Sequence, residues 1–175
     1  IANTIWYLAD GIVYYYAIKE DQRNLFVPNG PLNNTSWRLK YSNDRIFSIP
    51  GGRWSLNYNT NASLSFFEDG IWYNYTAVDF VNKTETDTVC YDLVDIAIDP
   101  NDNTHFWVAS YGLGIYEFRN DKIYKHHHCD NSGLKSIYQD DIPQKKYNYI
   151  RTDGMTYDEN GNLWLLNNAG SLIKY

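Results

Sequence analysis

A strand–turn–strand pattern that recurs in register is the feature that most constrains the fold of this chain. Aligning RIFSIPGG (from Arg45), HFWVASYG (from His105) and NLWLLNNAG (from Asn162) gives intervals of 60 and 57 residues, and TIWYLADG from Thr4 precedes Arg45 by 41. Repeats of about 40 to 50 residues with four strands each are typical of propeller blades, and the excess length here falls in long loops. We therefore predict an all-β fold, a partial β-propeller of about three to four four-stranded blades.

The segment Leu93–Phe118 shows the local pattern most clearly. It reads as the strands LVDIAID, HFWVAS and GIYEF, joined by the turns DPNDNT and YGLG. Val94 and Ile96 alternate with Asp95, as expected for a strand with one buried face. The turn residues Asp, Asn, Pro and Gly favour bent or left-handed backbone. No stretch combines a capping signal with apolar residues at helical spacing, so we predict no helix.

The predicted strands form blades at approximately 1–30, 37–77, 92–128 and 150–175, within a single propeller segment, 1–175. The first blade lacks its innermost strand, the middle two are complete, and the last lacks its outermost strand. Both ends supply second and third strands, so they overlap instead of completing one another. We therefore expect an excerpt of a larger propeller, a view also suggested by a chain that opens directly in a strand. The rest of the propeller or a second protomer should cover the apolar flanks.

Composition and charge exclude several classes of partner. The 175 residues are 43% hydrophobic, with 17 Tyr, which is enough for a core rich in strand-forming residues. The net charge is −6 and the Lys and Arg residues are scattered, which argues against a nucleic-acid partner. No apolar run is long enough to span a bilayer, and no motif calls for a cofactor. Cys90 and Cys129, separated by three strand spacings or ~14 Å, are predicted to be free thiols.

The repeats resemble two-component-regulator-type β-propellers of Bacteroidetes, whose repeat reads roughly D-x-x-G-N-L-W, a small polar turn, then G-L/I-aromatic. Asp158–Trp164 (DENGNLW) matches this phrase closely. Asp102–Trp107 departs from it by lacking the Gly, and the first full blade keeps only Arg45–Phe47 and Gly51–Gly52.

Two relatives within this superfamily are candidates. The phrases VASYGLGIYEF, NSGLKS and NGPLNN…IPGG look more like the propeller of the type IX (Por) secretion attachment complex, which handles anionic lipopolysaccharide. The alternative is the periplasmic glycan-sensing propeller of hybrid two-component systems. Either resemblance implies a non-catalytic binding or scaffolding module in the periplasm or at the cell surface. A propeller glycosidase or lyase is a third possibility, and it would require convergent carboxylates or His in the axial channel.

Register places the second-to-third-strand loops and the blade connections at one end of the blades, and the short turns at the other. The longest insertions all fall at the first end, where a rigid scaffold usually carries its binding residues. Aromatic rings there could stack on sugars while Arg and Asn donate hydrogen bonds to hydroxyls. Packing is the alternative for Trp54 and Tyr111. The candidate residues at this end are Arg53, Trp54, Asn57, Tyr58, Tyr111, Asn167 and Asn168.

The run HHHCD, residues 126–130, is the candidate metal site. His126 and His128 share one strand face, and Cys129 or Asp130 would add ligands suited to zinc. The run falls on an outermost strand, so we interpret it as a solvated edge rather than a metal site.

The acidic turns at Asp44, Asp99, Asp102 and Asp158 lack the spacing of a calcium loop. We interpret these aspartates as residues that cap their own turns.

Overall fold

The computed structural model describes residues 4–9, 12–17, 22–25, 29–33, 35–52, 59–81, 89–138 and 149–175. The chain divides into two compact units, Ile1–Gly30 and Pro31–Tyr175. The first unit is a three-stranded antiparallel sheet of order β1-β2-β3. Its strands are β1 (Thr4–Ala9), β2 (Ile12–Ala17) and β3 (Gln22–Leu25).

The second unit contains three antiparallel meander sheets, in which each strand pairs with the next. The first sheet consists of β4 (Arg38–Ser42), β5 (Arg45–Ile49), β6 (Leu64–Glu68) and β7 (Ile71–Tyr75). The second consists of β8 (Leu93–Asp99), β9 (Asp102–Ser110), β10 (Gly114–Arg119) and β11 (Lys122–His127). The third consists of β12 (Thr152–Tyr157), β13 (Leu163–Asn167) and β14 (Ser171–Lys174). The four sheets have the predicted strand counts of three, four, four and three.

The sheets of the second unit are arranged as neighbouring propeller blades. The first strands of successive sheets are adjacent, β4 beside β8 and β8 beside β12. Between the first two sheets, the rings of Phe47 and Phe106 lie 5.1 Å apart, and within the second sheet the rings of Phe106 and Phe118 lie 4.4 Å apart. Between the second and third sheets, a second apolar cluster contains Trp107 and Leu165. The prediction of a partial β-propeller is confirmed.

Strand β8 is buried on both faces, so the predicted single buried face is wrong. Asp95 is only 1% exposed. Its Oδ2 accepts a hydrogen bond from the Met155 amide at 2.7 Å. Its Oδ1 makes ion pairs without hydrogen-bond geometry, 3.3 Å from Arg38 Nε and 3.7 Å from Lys40 Nζ. An innermost strand between two blades has no solvated face, which is why its alternate polar residue is paired with charges and a backbone amide.

A short helix, α1 (Ala77–Val81), follows β7 and was not predicted. Its first turn is held by Asp79, whose Oδ2 accepts from both the amide and the hydroxyl of Thr76, at 2.7 and 2.8 Å. Phe80 packs edge-on against Tyr116 with a ring-centroid distance of 5.0 Å. The missed signal was the sequence TAVD, which starts a helix too short to show an apolar period.

Turns within the described residues lie at the two ends of the blades where register places them. At the short-turn end, Asn103 Nδ2 donates to the Asn43 carbonyl at 3.1 Å, joining the first turns of two blades. At the opposite end, the Tyr111 amide donates to the Asp92 carbonyl at 2.9 Å, so the second-to-third loop meets the start of its own blade. This end is called the loop end below.

The last blade exposes an apolar flank, as expected. Leu166 and Leu172 pair across β13 and β14 and are 54% and 56% exposed. Leu163 and Leu165, which alternate with Leu166, are buried against the preceding blade.

Candidate ligand-binding site

Two adjoining cavities lie at the loop end and share Tyr111 and Arg151 in their walls. The first, of about 310 Å³, lies against the entry to β8 and is lined in part by Tyr91 and Tyr149. The second, of about 470 Å³, lies over the last blade beside Asn168. Together they are called the loop-end cleft.

Tyr111 and Arg151 form the partition between the two cavities. The guanidinium carbon of Arg151 lies 5.2 Å from the centroid of the Tyr111 ring, within the range of a cation–π contact. Both side chains are partly exposed. The backbone behind them is fixed, since the Ile150 amide donates to the Gly112 carbonyl at 2.8 Å and the Gly114 amide donates to the Ile150 carbonyl at 2.9 Å. The pair therefore presents an aromatic face and a cation on a rigid support.

Asp92 shapes the floor of the first cavity. It takes a left-handed backbone conformation with φ of 51°. Its carboxylate accepts hydrogen bonds from the amides of Asn59 and Thr60, at 3.0 and 2.9 Å. Burial raises the pKa of Asp92 above its ordinary value, although those two amides act in the opposite direction. Asp92 therefore serves mainly to anchor the loop beside the cavity.

Asn167 and Asn168 are both brought to the cleft, but they differ in what they offer a ligand. Asn167 is 2% exposed, and its amide is already engaged. Its Nδ2 donates to the carbonyls of Lys135 and Arg151, each at 3.0 Å, and its Oδ1 accepts from the Lys135 amide at 2.8 Å. Asn168 is exposed, and its backbone amide donates to the Arg151 carbonyl at 2.9 Å. Asn167 is thus a positioning residue, and Asn168 is the one with a side chain on the cleft surface.

Four of the sequence candidates, Arg53, Trp54, Asn57 and Tyr58, lie outside the described residues. They immediately precede Asn59, which lines the first cavity. Sequence reasoning did not single out Tyr91, Tyr149 or Arg151. Tyr91 and Tyr149 each stand just before an innermost strand, so their position at a blade entry was a usable signal.

A third cavity, of about 180 Å³, lies between the innermost strands β4, β8 and β12. Its lining among the described residues includes Lys40, Tyr41, Met155 and Tyr157, with no carboxylate or His side chain. The nearby carboxylate of Asp95 is taken up by Arg38 and Lys40. This arrangement differs from the convergent acids that a propeller hydrolase would need.

The interpretation of residues 126–130 as a solvated edge strand is wrong for the three histidines, whereas Asp130 is exposed. His126, His127 and His128 are 1%, 7% and 5% exposed. His126 stacks on Tyr116, with ring centroids 4.5 Å apart, on the side where Phe80 packs. The C-terminal end of the outermost strand is buried because other side chains cover both of its faces there, whereas Tyr124 in the middle of the strand is 59% exposed.

His127 lies on the other face of β11, in a buried polar network. Its Nε2 donates to Glu117 Oε2 at 2.9 Å, and Glu117 Oε1 accepts from Arg119 Nε at 2.6 Å. Burial lowers the pKa of His127 below its ordinary value, only partly offset by Glu117. Burial would raise the pKa of Glu117, but its bonds to His127 and Arg119 outweigh this and hold it low. We take His127 as neutral near pH 7, with a charged Glu117 paired to Arg119.

The predicted free thiols and three of the four predicted turn-capping aspartates are confirmed. The exception is Asp44, whose Oδ1 accepts from the Tyr41 hydroxyl at 2.9 Å. Cys90 and Cys129 are both free thiols, and burial raises the pKa of Cys90 to about 12. Asp158 Oδ1 accepts from the amides of Asn160 and Asn162, each at 2.9 Å, and so caps its own turn.

Asp99 and Asp102 act in the same way. Asp99 Oδ1 accepts from the Asn101 amide, and Asp102 Oδ1 accepts from the Thr104 amide, both at 2.9 Å.

The fold and the cleft define a segment of a β-propeller, with the cleft at one end of its blades. Among solved structures, the chain is similar to PorZ, a bacterial surface component of the type IX secretion system of Porphyromonas gingivalis. The TM-score is 0.73 at 18% identity, over 99% of this chain and 27% of PorZ, so the chain spans about a quarter of that protein. The resemblance read from the repeats is thereby confirmed at the level of the fold.

Two further structures are more distant. One is Mala s 1, an allergen of Malassezia sympodialis, with TM-score 0.49 and 14% identity over 99% of this chain and 56% of that one. The other is the extracellular domain of a proposed one-component system of B. thetaiotaomicron, with TM-score 0.37 and 14% identity over 98% and 26%. No protein-family model and no curated sequence matches the chain. Among the described residues there is no helix long and apolar enough to cross a membrane.

Proposed function

We propose that this chain is a non-catalytic binding and scaffolding segment of an extracytoplasmic β-propeller, whose loop-end cleft takes a glycan. Our preferred role is that of a type IX secretion attachment propeller, in the periplasm or at the cell surface, with lipopolysaccharide as the glycan-bearing partner. The repeat phrases and the fold alignment with PorZ over 99% of the chain support this role.

The partition of the cleft by Tyr111 and Arg151 is the observation that carries the proposal. A sugar binds through C–H faces that pack on aromatic rings and through hydroxyls that need a few fixed polar groups. Tyr91, Tyr111 and Tyr149 supply the rings, and Arg151 supplies the donor. The surrounding backbone bonds hold these groups without a large ordering cost on binding.

The apolar flank at Leu166 and Leu172 supports a second part of the proposal. Blades of a propeller bury such faces against the next blade. We expect the rest of the propeller, or a second protomer, to cover it.

The glycan role is tested by titrating the full-length protein with lipopolysaccharide-derived polysaccharide and with a glycan array. Tyr111→Ala should weaken binding at least about tenfold, which corresponds to ~1.4 kcal/mol. Tyr111→Phe should retain most of the affinity because the ring remains. Arg53→Ala and Trp54→Ala test the candidates known from sequence alone.

Tyr124→Ala is the matched control, since Tyr124 is a 59% exposed ring on β11, outside the residues that line the cleft. Its binding should equal that of the unmodified protein. If Tyr111→Ala and Arg151→Ala both bind every glycan with unchanged affinity, the cleft is not the glycan site.

A further inference from the structure

The turn that follows β11 places three metal-ligating side chains in one group. His128, Cys129 and Asp130 each offer a ligand atom, and these atoms lie within 4.8 Å of one another. Among the residues that the structure describes, this is the only group of three or more His, Cys, Asp or Glu side chains with such spacing. We propose that these three residues bind a divalent transition-metal ion, with zinc as the best match. The site is independent of the loop-end cleft.

The backbone of this turn is fixed by its own side chains. Asn131 Oδ1 accepts from the His128 amide at 2.8 Å, and Asn131 Nδ2 donates to the His126 carbonyl at 2.9 Å. Ser132 Oγ donates to the His128 carbonyl at 2.6 Å. The ligand-bearing residues are therefore held in place before an ion arrives, which lowers the cost of assembling the site.

The burial of His128 favours the metal hypothesis. A solvated His loses side-chain entropy when it binds an ion, whereas His128 is 5% exposed and already ordered. Its Nδ1 accepts the Asp130 amide at 3.3 Å, which holds the ring beside the turn that carries the other two ligands; an ion bound at Nδ1 would replace this long hydrogen bond. Cys129 is partly buried and Asp130 is exposed, which leaves a route for the ion from solvent.

The donor set selects the class of metal. A thiolate, an imidazole and a carboxylate are borderline to soft ligands that suit zinc, whereas calcium and magnesium take oxygen ligands only. Cys129 Sγ lies 3.8 Å from Asp130 Oδ1, so an ion between them would replace the thiol proton that now faces the carboxylate. Three protein ligands leave one tetrahedral position for water or an external group.

Two neighbouring groups of side chains contain His residues but do not form part of this metal site. His126, which the sequence placed in the site, directs Nε2 to the Leu113 carbonyl at 2.7 Å. In the network on the other face of β11, His127 and His105 direct Nε2 to the two oxygens of Glu117, at 2.9 and 3.3 Å. Their ligand atoms do not belong to the group that lies within 4.8 Å, so the metal hypothesis is confined to residues 128–130.

Cobalt(II) titration of the reduced, chelator-treated full chain tests the proposal, because a thiolate ligand gives a near-ultraviolet charge-transfer band. We expect saturable binding with this band, and displacement of cobalt by zinc at one equivalent. Cys129→Ser should abolish the band and weaken zinc binding at least about 100-fold, since even outer-shell changes cost ~10–100-fold. Asp130→Asn should weaken zinc binding at least about tenfold.

Two variants serve as matched controls. Cys90→Ser removes the other cysteine, which is fully buried, and should leave the band unchanged. Glu159→Gln removes an exposed carboxylate elsewhere and should leave zinc affinity unchanged. Near-ultraviolet circular dichroism establishes that each variant is folded. The proposal is overturned if the folded chain shows no saturable zinc binding, or if Cys129→Ser keeps the band and the affinity.

Discussion

Arg45 and Asp121 join two neighbouring blades through two parallel hydrogen bonds, Nη1 to Oδ1 at 2.6 Å and Nη2 to Oδ2 at 3.1 Å. Arg45 is 5% exposed and also pairs with Glu68 in its own blade, Nε to Oε1 at 2.6 Å and Nη2 to Oε2 at 2.9 Å. Its guanidinium carbon lies 4.7 Å from the centroid of the Phe66 ring. One buried cation thus connects β5, β6 and the β10–β11 turn of the next blade.

Arg45→Ala should lower the free energy of unfolding by about 3 kcal/mol, because it leaves two carboxylates facing each other without a cation. Arg45→Lys should also destabilise, since an ammonium cannot reproduce two bidentate contacts. Urea denaturation measures both. Lys122→Ala, at an exposed position on the adjacent strand, should change stability by less than about 0.5 kcal/mol. Equal stability of Arg45→Ala and the unmodified chain would contradict the role of this clamp.

Alanine substitutions at Gly114 and Gly161 distinguish the cost of backbone strain from the cost of steric conflict. Both glycines have positive φ, 88° and 80°. A Cβ at Gly114 would collide with the His127 carbonyl oxygen, whereas a Cβ at Gly161 would meet no atom. Gly161→Ala should therefore cost about 1 kcal/mol for the left-handed conformation alone. Gly114→Ala should cost about 3 kcal/mol, because the β10–β11 pairing must also shift. Thermal unfolding of both variants would show similar losses if the close approach at Gly114 did not matter.

Asn167→Ala should lower the free energy of unfolding by about 2–3 kcal/mol, because it leaves buried backbone groups of Lys135 and Arg151 without their partner. Asn168→Ala, one residue further on, removes an exposed side chain and should alter stability by less than about 0.5 kcal/mol. In glycan titrations, Asn168→Ala should reduce the binding free energy by more than denaturation shows it to reduce the free energy of unfolding. Chemical denaturation of the pair would refute this division if the two losses were equal.

The His127–Glu117 pair should make folding stability depend on pH. Because the pKa of His127 is lower in the folded than in the unfolded chain, its contribution is complete above its ordinary pKa of 6.5 and is lost as pH falls below that value. The lowered pKa of Glu117 adds a second loss below its ordinary value of 4.5. Urea midpoints should therefore decline from pH 7 to pH 5, before Glu117 titrates.

His127→Gln tests the assignment of the first loss, since Gln keeps an N–H donor but has no charge to gain. The decline between pH 7 and pH 5 should shrink in this variant. A decline of unchanged size would assign it to another group.

The sequence predicted strands best where an apolar period and turn residues agree. LVDIAID was expected as a strand and corresponds to β8, Leu93–Asp99, because Asp99 both ends the period and caps the following turn. The cleft was predicted only in part. Tyr111 and Asn168 follow from register, but Arg151 reaches Tyr111 through the adjacency of two blades, which is a contact between residues 40 positions apart that no local pattern contains.

The burial of the His run was missed for a related reason. The position of a strand within its own sheet indicates an edge, but the exposure of its faces depends on neighbouring elements. Tyr116 stacks on His126 on one side and is itself packed by Phe80. On the other side, the rings of Trp107 and Tyr175 lie near His127, with centroids 5.0 and 5.5 Å away. Such coverage is a tertiary property that strand order alone does not give.

The contacts of Asp95 with both neighbouring blades make unfolding of the three blades cooperative. Its carboxylate forms ion pairs with Arg38 and Lys40 of β4, and it accepts a hydrogen bond from the Met155 amide of β12. Loss of either neighbouring blade would leave this carboxylate with only the partners of the other blade, so detachment of one blade weakens the attachment of the other. The three blades of Pro31–Tyr175 should consequently melt in a single calorimetric transition, unlike a stack of repeats that frays from one end.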